Sequence, residues 1–80
     1  MTNTKLLRKI IEEKGFKLKF VAEKIGLSAY GFNKKIENKS EFKTGEISAL
    51  CNLLDINNPE YKEEIFFAQK DDLKSTHERS

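Results

Sequence analysis

The residues able to make or break a covalent bond are scarce in this 80-residue chain. It has one cysteine, Cys51, and one histidine, His77, in a polar stretch near the end. One of each cannot assemble a structural zinc site, and a histidine-based nucleophilic triad has no second partner on rigid structure. No intrachain disulfide can form, which points to a reducing compartment. Cys51 falls on an apolar stripe and reads as a small core residue rather than a reactive thiol. The expectation is therefore no enzyme, no metal, no cofactor and no small-molecule substrate. What remains is hydrogen-bonding and charge chemistry. Tyr30, Asn33, Lys34 and Glu37 fall opposite Phe32 and Ile36 on a helical wheel of about 100° per residue. They offer a phenol, an amide, an ammonium and a carboxylate on one face.

Charge is unevenly spread. Residues 1–44 hold eleven Lys and Arg against five Glu, a net +6. Residues 45–67 hold one Lys against five acids, a net −4, and residues 68–80 are neutral. The overall +2 is thus an average over a basic front and an acidic back. Such asymmetry suggests a face directed at a polyanion, although a segregated solvated surface produces the same count.

The elements that position these groups are helical throughout. The first spans about Thr4 to Lys14, with Asn3 or Thr4 as N-cap, and carries Leu6, Leu7, Ile10 and Ile11 in one stripe. Gly15 suits the left-handed position that ends it. The second spans about Leu18 to Ile25, with Leu18, Val21, Ala22 and Ile25 inward, and stops at Gly26. Ser28 is an N-cap for the third, about Ala29 to Asn38. Gly31 lies inside that helix at a cost of about 1 kcal/mol relative to Ala. Either something approaches the backbone there or the position has drifted. In the loop from Asn38 to Lys43, Phe42 reads as a core plug. Thr44 is a plausible N-cap for the fourth helix, and Glu46 sits in its first turn, where the dipole favours an acid. That helix carries Ile47, Leu50, Cys51 and Leu54 at i, i+3, i+4, i+7. Asn58-Pro59 opens a short fifth helix ending near Phe67. The expected organisation is a single domain over residues 1–67 and a polar, flexible tail over 68–80. A chain of this length buries only roughly 60% of its unfolded surface. No apolar run nears the ~18 residues of a membrane span. The charged start of the chain does not read as a signal peptide. The expected location is the cytoplasm, at the nucleoid.

The second and third helices, joined by Gly26, Leu27 and Ser28, have helix-turn-helix spacing. Small Ala22 permits a close crossing, and Gly26 takes a turn conformation that a Cβ resists. Leu27 anchors the turn, and Val21, Ile25 and Phe32 join the pair. The outward face of the third helix is then free to enter a major groove about 12 Å wide.

These residues resemble the Cro/CI family of lambda-repressor-like helix-turn-helix domains. The resemblance rests on VAEKIGLS (Val21 to Ser28), Phe32, Ile36, IENK and KSEFKTGEI (Lys39 to Ile47), and covers about Lys5 to Ile56. It is closest to small phage Cro-type repressors. It implies an all-α, compact five-helix lambda-repressor-like fold with the helix-turn-helix at helices 2 and 3. It also implies a sequence-specific DNA-binding transcriptional repressor acting on a double-stranded operator. One position departs: many members carry an aliphatic residue where this chain has Lys35, and Ile36 is read here as the inward residue, rotating the end of the recognition helix.

By motif position the base-reading residues are Ala29, Tyr30, Asn33 and Lys34; the wheel selects the last three independently. Asn pairs with adenine, Lys donates to guanine, and Ala29 or the Tyr30 ring meets a thymine methyl. The alternatives are that Tyr30 covers apolar surface and that Lys34 touches phosphate alone. Expected phosphate contacts are Lys17, Lys19, Ser28, Lys35, Lys39, Ser40 and Lys43, with a solvated side chain as the alternative for each lysine. Phe20 falls outward and either folds back on the first helix or touches the DNA backbone. Ile65, Phe66 and Phe67 are too many consecutive apolar residues for one helix face. They form either a homodimer interface, as the last helix often does in the family, or the floor of the core. A protein-interaction module of antirepressor or antitoxin type, working through residues 45–67, is the competing reading.

Overall fold

The computed structural model describes residues 1–68. Residues 69–80, which include Leu73, His77 and nearly all of the expected tail, lie outside the described residues. Five α-helices follow in order: α1 (Thr4–Glu13), α2 (Leu18–Lys24), α3 (Ala29–Ile36), α4 (Thr44–Leu54) and α5 (Pro59–Phe66). There is no strand among the described residues.

Helix starts and stops follow local chemistry. Asn3 caps α1 by accepting from the Leu6 N–H at 3.2 Å, Ser28 caps α3, and Asn58 caps α5 ahead of Pro59. The N-cap of α4 is Lys43 rather than Thr44. Its backbone N–H donates to the Glu46 carboxylate at 2.8 Å, half of a capping box. The first four helices each close with a paired turn. The N–H two residues beyond the last helical turn reaches back to an orphan carbonyl: Phe16 to Ile11, Leu27 to Ala22, Lys39 to Lys34, Ile56 to Cys51. The left-handed residues that allow this are Gly15, Gly26, Asn38 and Asp55. At Asn38 and Asp55 a side chain tolerates the conformation that glycine takes elsewhere, at some local cost.

The core is continuous through all five helices. Leu7, Ile11, Val21, Phe32, Ile36, Leu50, Leu54 and Ile65 are fully buried. Phe42 is the expected plug, stacked edge-on between Phe32 at 6.0 Å and Phe66 at 6.1 Å. Cys51 is buried on the α4 stripe, and burial pushes its thiol pKa up against the opposing pull of Lys62. The thiol is therefore neutral near pH 7.

Two expectations are overturned. Ile65 and Phe66 are not at an interface; both are core residues. They stand about 100° apart on the helix, and α5 lies in a trough that covers that whole arc. One wall is the chain start, where the Asn3 N–H donates to the Ile65 carbonyl at 2.6 Å; the other includes Phe42. Phe67, beyond the last turn, is 52% exposed. Lys35 is likewise not a surface phosphate lysine: it is only 8% exposed, beside Ile36, which is also buried. Both positions point inward, Ile36 as the sequence suggests and Lys35 against it.

Candidate nucleic-acid interface

The interface is built on the turn between α2 and α3. Gly26 takes φ +82°, a left-handed conformation that a side chain rarely adopts. This lets the Leu27 N–H reach the Ala22 carbonyl at 2.9 Å and swings Leu27 against the core. Ala22 is buried where the two helices cross. The Ser28 hydroxyl accepts from the Gly31 N–H at 3.0 Å, fixing the start of α3 and leaving its own proton to donate outward. A Cβ on Gly31 would stand 3.3 Å from that hydroxyl oxygen. That contact is tight, and a shift of a few tenths of an ångström in the hydroxyl relieves it.

With Phe32 and Ile36 buried, α3 presents Ala29, Tyr30, Asn33, Lys34 and Glu37 to solvent. Tyr30 is 74% exposed, so it covers no apolar surface. The Lys34 ammonium lies 5.5 Å from the Tyr30 ring centroid, a cation–π pair across one helical turn. The two outward groups are thereby held together before any ligand arrives. Glu37 faces the same way and pairs with Lys39 at 3.3 Å, both side chains well exposed. An exposed pair of this kind contributes little.

The remaining phosphate candidates are exposed and lie near helix starts or just after α3. Lys17 precedes α2 and Lys19 sits in its first turn. Lys39 and Ser40 follow α3, and Lys43 precedes α4. Phe20 stacks on Phe16 in the α1–α2 loop, with ring centroids 5.0 Å apart, and Lys24 caps the outer ring at 5.5 Å. It folds back on the loop rather than on α1.

Lys35 belongs to a different structure. Its ammonium meets the Glu46 carboxylate at 2.5 Å, with both side chains mostly buried, and lies 6.0 Å from the Phe42 ring. Burial alone would raise the Glu46 pKa. Hydrogen bonds from Lys35 and from the Lys43 N–H, and the charges of both lysines, outweigh it and hold the carboxyl below its ordinary value. Sequence reasoning also missed Thr2, only 2% exposed, whose carbonyl accepts from the Asn38 side-chain amide at 3.0 Å. The partners are 36 residues apart, and no periodicity links them.

Residues 6–60 match the family model of the Cro/C1-type helix-turn-helix DNA-binding domain. The chain belongs to that family. No curated protein and no solved structure matches it. The five-helix architecture and the α2–α3 turn are those of a Cro/C1-type domain, and the family's work is DNA binding. Among the described residues of this Cro/C1-type domain, no group of three or more His, Cys, Asp or Glu is placed to hold a metal, and no helix is long and apolar enough to cross a membrane.

Proposed function

We propose that this domain is a sequence-specific transcriptional repressor of phage Cro type, reading operator half-sites in the major groove with α3. The observation that carries the reading is the division of α3. One face is locked into the core by Phe32 and Ile36, while Ala29, Tyr30, Asn33 and Lys34 stand free on the other. Asn33 pairs with adenine, Lys34 donates to guanine, and Ala29 or the Tyr30 ring meets a thymine methyl. Lys17, Lys19, Ser28, Lys39, Ser40 and Lys43 grip phosphates on either side and set the register. The +6 of residues 1–44 supplies the salt-dependent part of the affinity. Two copies read one operator, and Phe67 is the member of the apolar triplet left to meet a second copy. The protein works in the cytoplasm, at the nucleoid, by excluding polymerase from a promoter.

The test is fluorescence anisotropy. The probe is a duplex selected by the protein from a randomised pool, compared with its shuffled version at several salt concentrations. A preference for the selected duplex and a steep salt slope are expected. Equal affinity for both duplexes would falsify the reading. Asn33→Ala and Lys34→Ala each lower the preference by about 1–3 kcal/mol while leaving shuffled DNA nearly unaffected. The competing protein-interaction reading keeps the acidic surface of residues 45–67 but not Ile65 and Phe66, which are in the core.

A further inference from the structure

We infer that Glu46 is a positioning residue for DNA reading: through Lys35 and the Lys43 backbone it locks the recognition helix to the loop that carries the phosphate lysines. The inference rests on the operator-reading proposal above and adds a role to Glu46 and Lys35, which touch no DNA in it.

One carboxylate makes both connections. Its Oε1 accepts from the Lys35 ammonium on α3 at 2.5 Å and from the Lys43 backbone N–H, at the start of α4, at 2.8 Å. Lys35 is adjacent in sequence to base-reading Lys34, and Lys43 ends the loop holding Lys39 and Ser40. The joint therefore spans the base-reading element and the backbone-gripping element. The Lys35 and Glu46 side chains are mostly buried, and the Phe42 ring lies 6.0 Å from the ammonium. A charged pair in such a place is weak evidence of stabilisation, because desolvation offsets most of the attraction. Its geometric specificity is the stronger property: among the described residues the ammonium pairs with the Glu46 carboxylate alone, which ties the end of α3 to the first turn of α4. The far end of α3 is tied a second time, by Asn38 to Thr2. Base pairing by a side chain tolerates little displacement, so a loosened joint erodes discrimination before it erodes general attraction to DNA.

Charge and positioning predict opposite signs. Glu46→Gln removes a negative charge from a DNA-binding domain. If Glu46 acted only by repulsion, the variant would bind selected and shuffled duplexes more tightly by the same factor. If it positions, the selected-over-shuffled ratio falls about tenfold while shuffled binding is unchanged or tighter. Lys35→Met is the complementary variant. A phosphate contact would flatten the log–log salt slope by ~0.9 and weaken both duplexes alike. The positioning role leaves the slope unchanged and lowers the ratio.

The experiment measures both duplexes with wild type, Glu46→Gln, Lys35→Met and the double variant. Circular dichroism confirms that each is folded at the assay temperature. Gln can still accept the Lys43 N–H, and Met removes the stranded ammonium, so the double variant keeps the packing without the charges. Its ratio should be closer to wild type than the product of the two single effects, the mark of a coupled pair. Purely multiplicative effects, an equal loss on both duplexes, or a flattened slope in Lys35→Met would each overturn the inference. A wild type with no preference would overturn the operator reading and this inference with it. A wild type with a preference that Glu46→Gln preserves would overturn the inference alone.

Discussion

Asn33 and Lys35 occupy equivalent flanks of one helix and meet opposite fates. On a wheel of about 100° per residue, each stands about 80° from the line bisecting Phe32 and Ile36. Asn33 is exposed; Lys35 is buried against Glu46. The α3 sequence alone does not distinguish the flanks. What decides is the neighbour: the loop and first turn of α4 lie beside the Lys35 flank and bring Phe42 and Glu46 to it, while among the described residues the Asn33 side chain stays exposed. A helix that reads DNA needs this asymmetry, because one flank must be held so that the other can be presented.

The largest effect expected is loss of the element on which both flanks depend. Phe32 is fully buried and packs edge-on against Phe42. Phe32→Ala should cost about 3–5 kcal/mol in urea unfolding. That is a large share of the ~5–15 kcal/mol typical of a small domain. A cost below 1 kcal/mol would mean that α3 is not anchored by this face, and the two flanks would not be fixed at all. A second comparison of neighbours sits on α5. Ile65→Ala should cost about 2–5 kcal/mol, whereas Phe67→Ala should stay within about 0.5 kcal/mol in the monomer. Similar costs for the two would contradict the burial of one and the exposure of the other.

Most of the fold was legible because its signals are local. The i, i+3, i+4 stripes of α1 and α4, Gly26 after α2, Ser28 before α3 and Asn58-Pro59 before α5 each act within one or two turns. The outward placement of Tyr30, Asn33 and Lys34 followed from Phe32 and Ile36 by the same local arithmetic. The failures are all tertiary. By residue type Lys35 reads as a surface lysine, but its partner lies eleven positions on, across a loop. Ile65, Phe66 and Phe67 are too many for one face, and Phe67 is left exposed, but which of them the core takes is set by α1 and Phe42, not by α5. Nothing local marks Thr2, because only the folded protein pins the chain start beside Ile65 and under Asn38. A Lys at a flank position followed by a Glu in the first turn of the next helix was the one available hint of the buried pair.

The held flank can be probed by pH. The folded Glu46 carboxyl lies below its ordinary value of 4.5. The unfolded chain therefore takes up this proton first as the solution is acidified. The contribution of Glu46 to stability is complete above about pH 4.5 and is lost as pH falls through that value and then through the lower folded one. Glu46→Gln lacks the titration. The gap in melting temperature between wild type and Glu46→Gln should thus narrow steadily from pH 6 to pH 3. A gap that stays constant would show that the carboxylate is not the group holding Lys35, and the asymmetry of the flanks would need another cause.

The smallest effect concerns the presented face, where Lys34 leans over Tyr30 at 5.5 Å. At an exposed site such a pair is worth about 0.5–1 kcal/mol. Its consequence is restriction rather than stability: an ammonium held over a ring samples fewer rotamers than a free lysine, so less entropy is lost when it meets a base. Tyr30→Phe keeps the ring and should leave the contribution of Lys34 to duplex preference intact. Tyr30→Leu removes the ring while keeping an apolar side chain, and Lys34 should then contribute less. The double-mutant cycle of Tyr30→Leu with Lys34→Ala, read on the selected duplex, should give a coupling of about 0.5 kcal/mol. The Tyr30→Phe cycle should give none beyond error, because its ring is still there to face the ammonium. If both cycles give the same coupling, the phenol hydroxyl rather than the ring links the two residues. The presented flank would then be ordered by its ligand and not, like the Lys35 flank, by the fold.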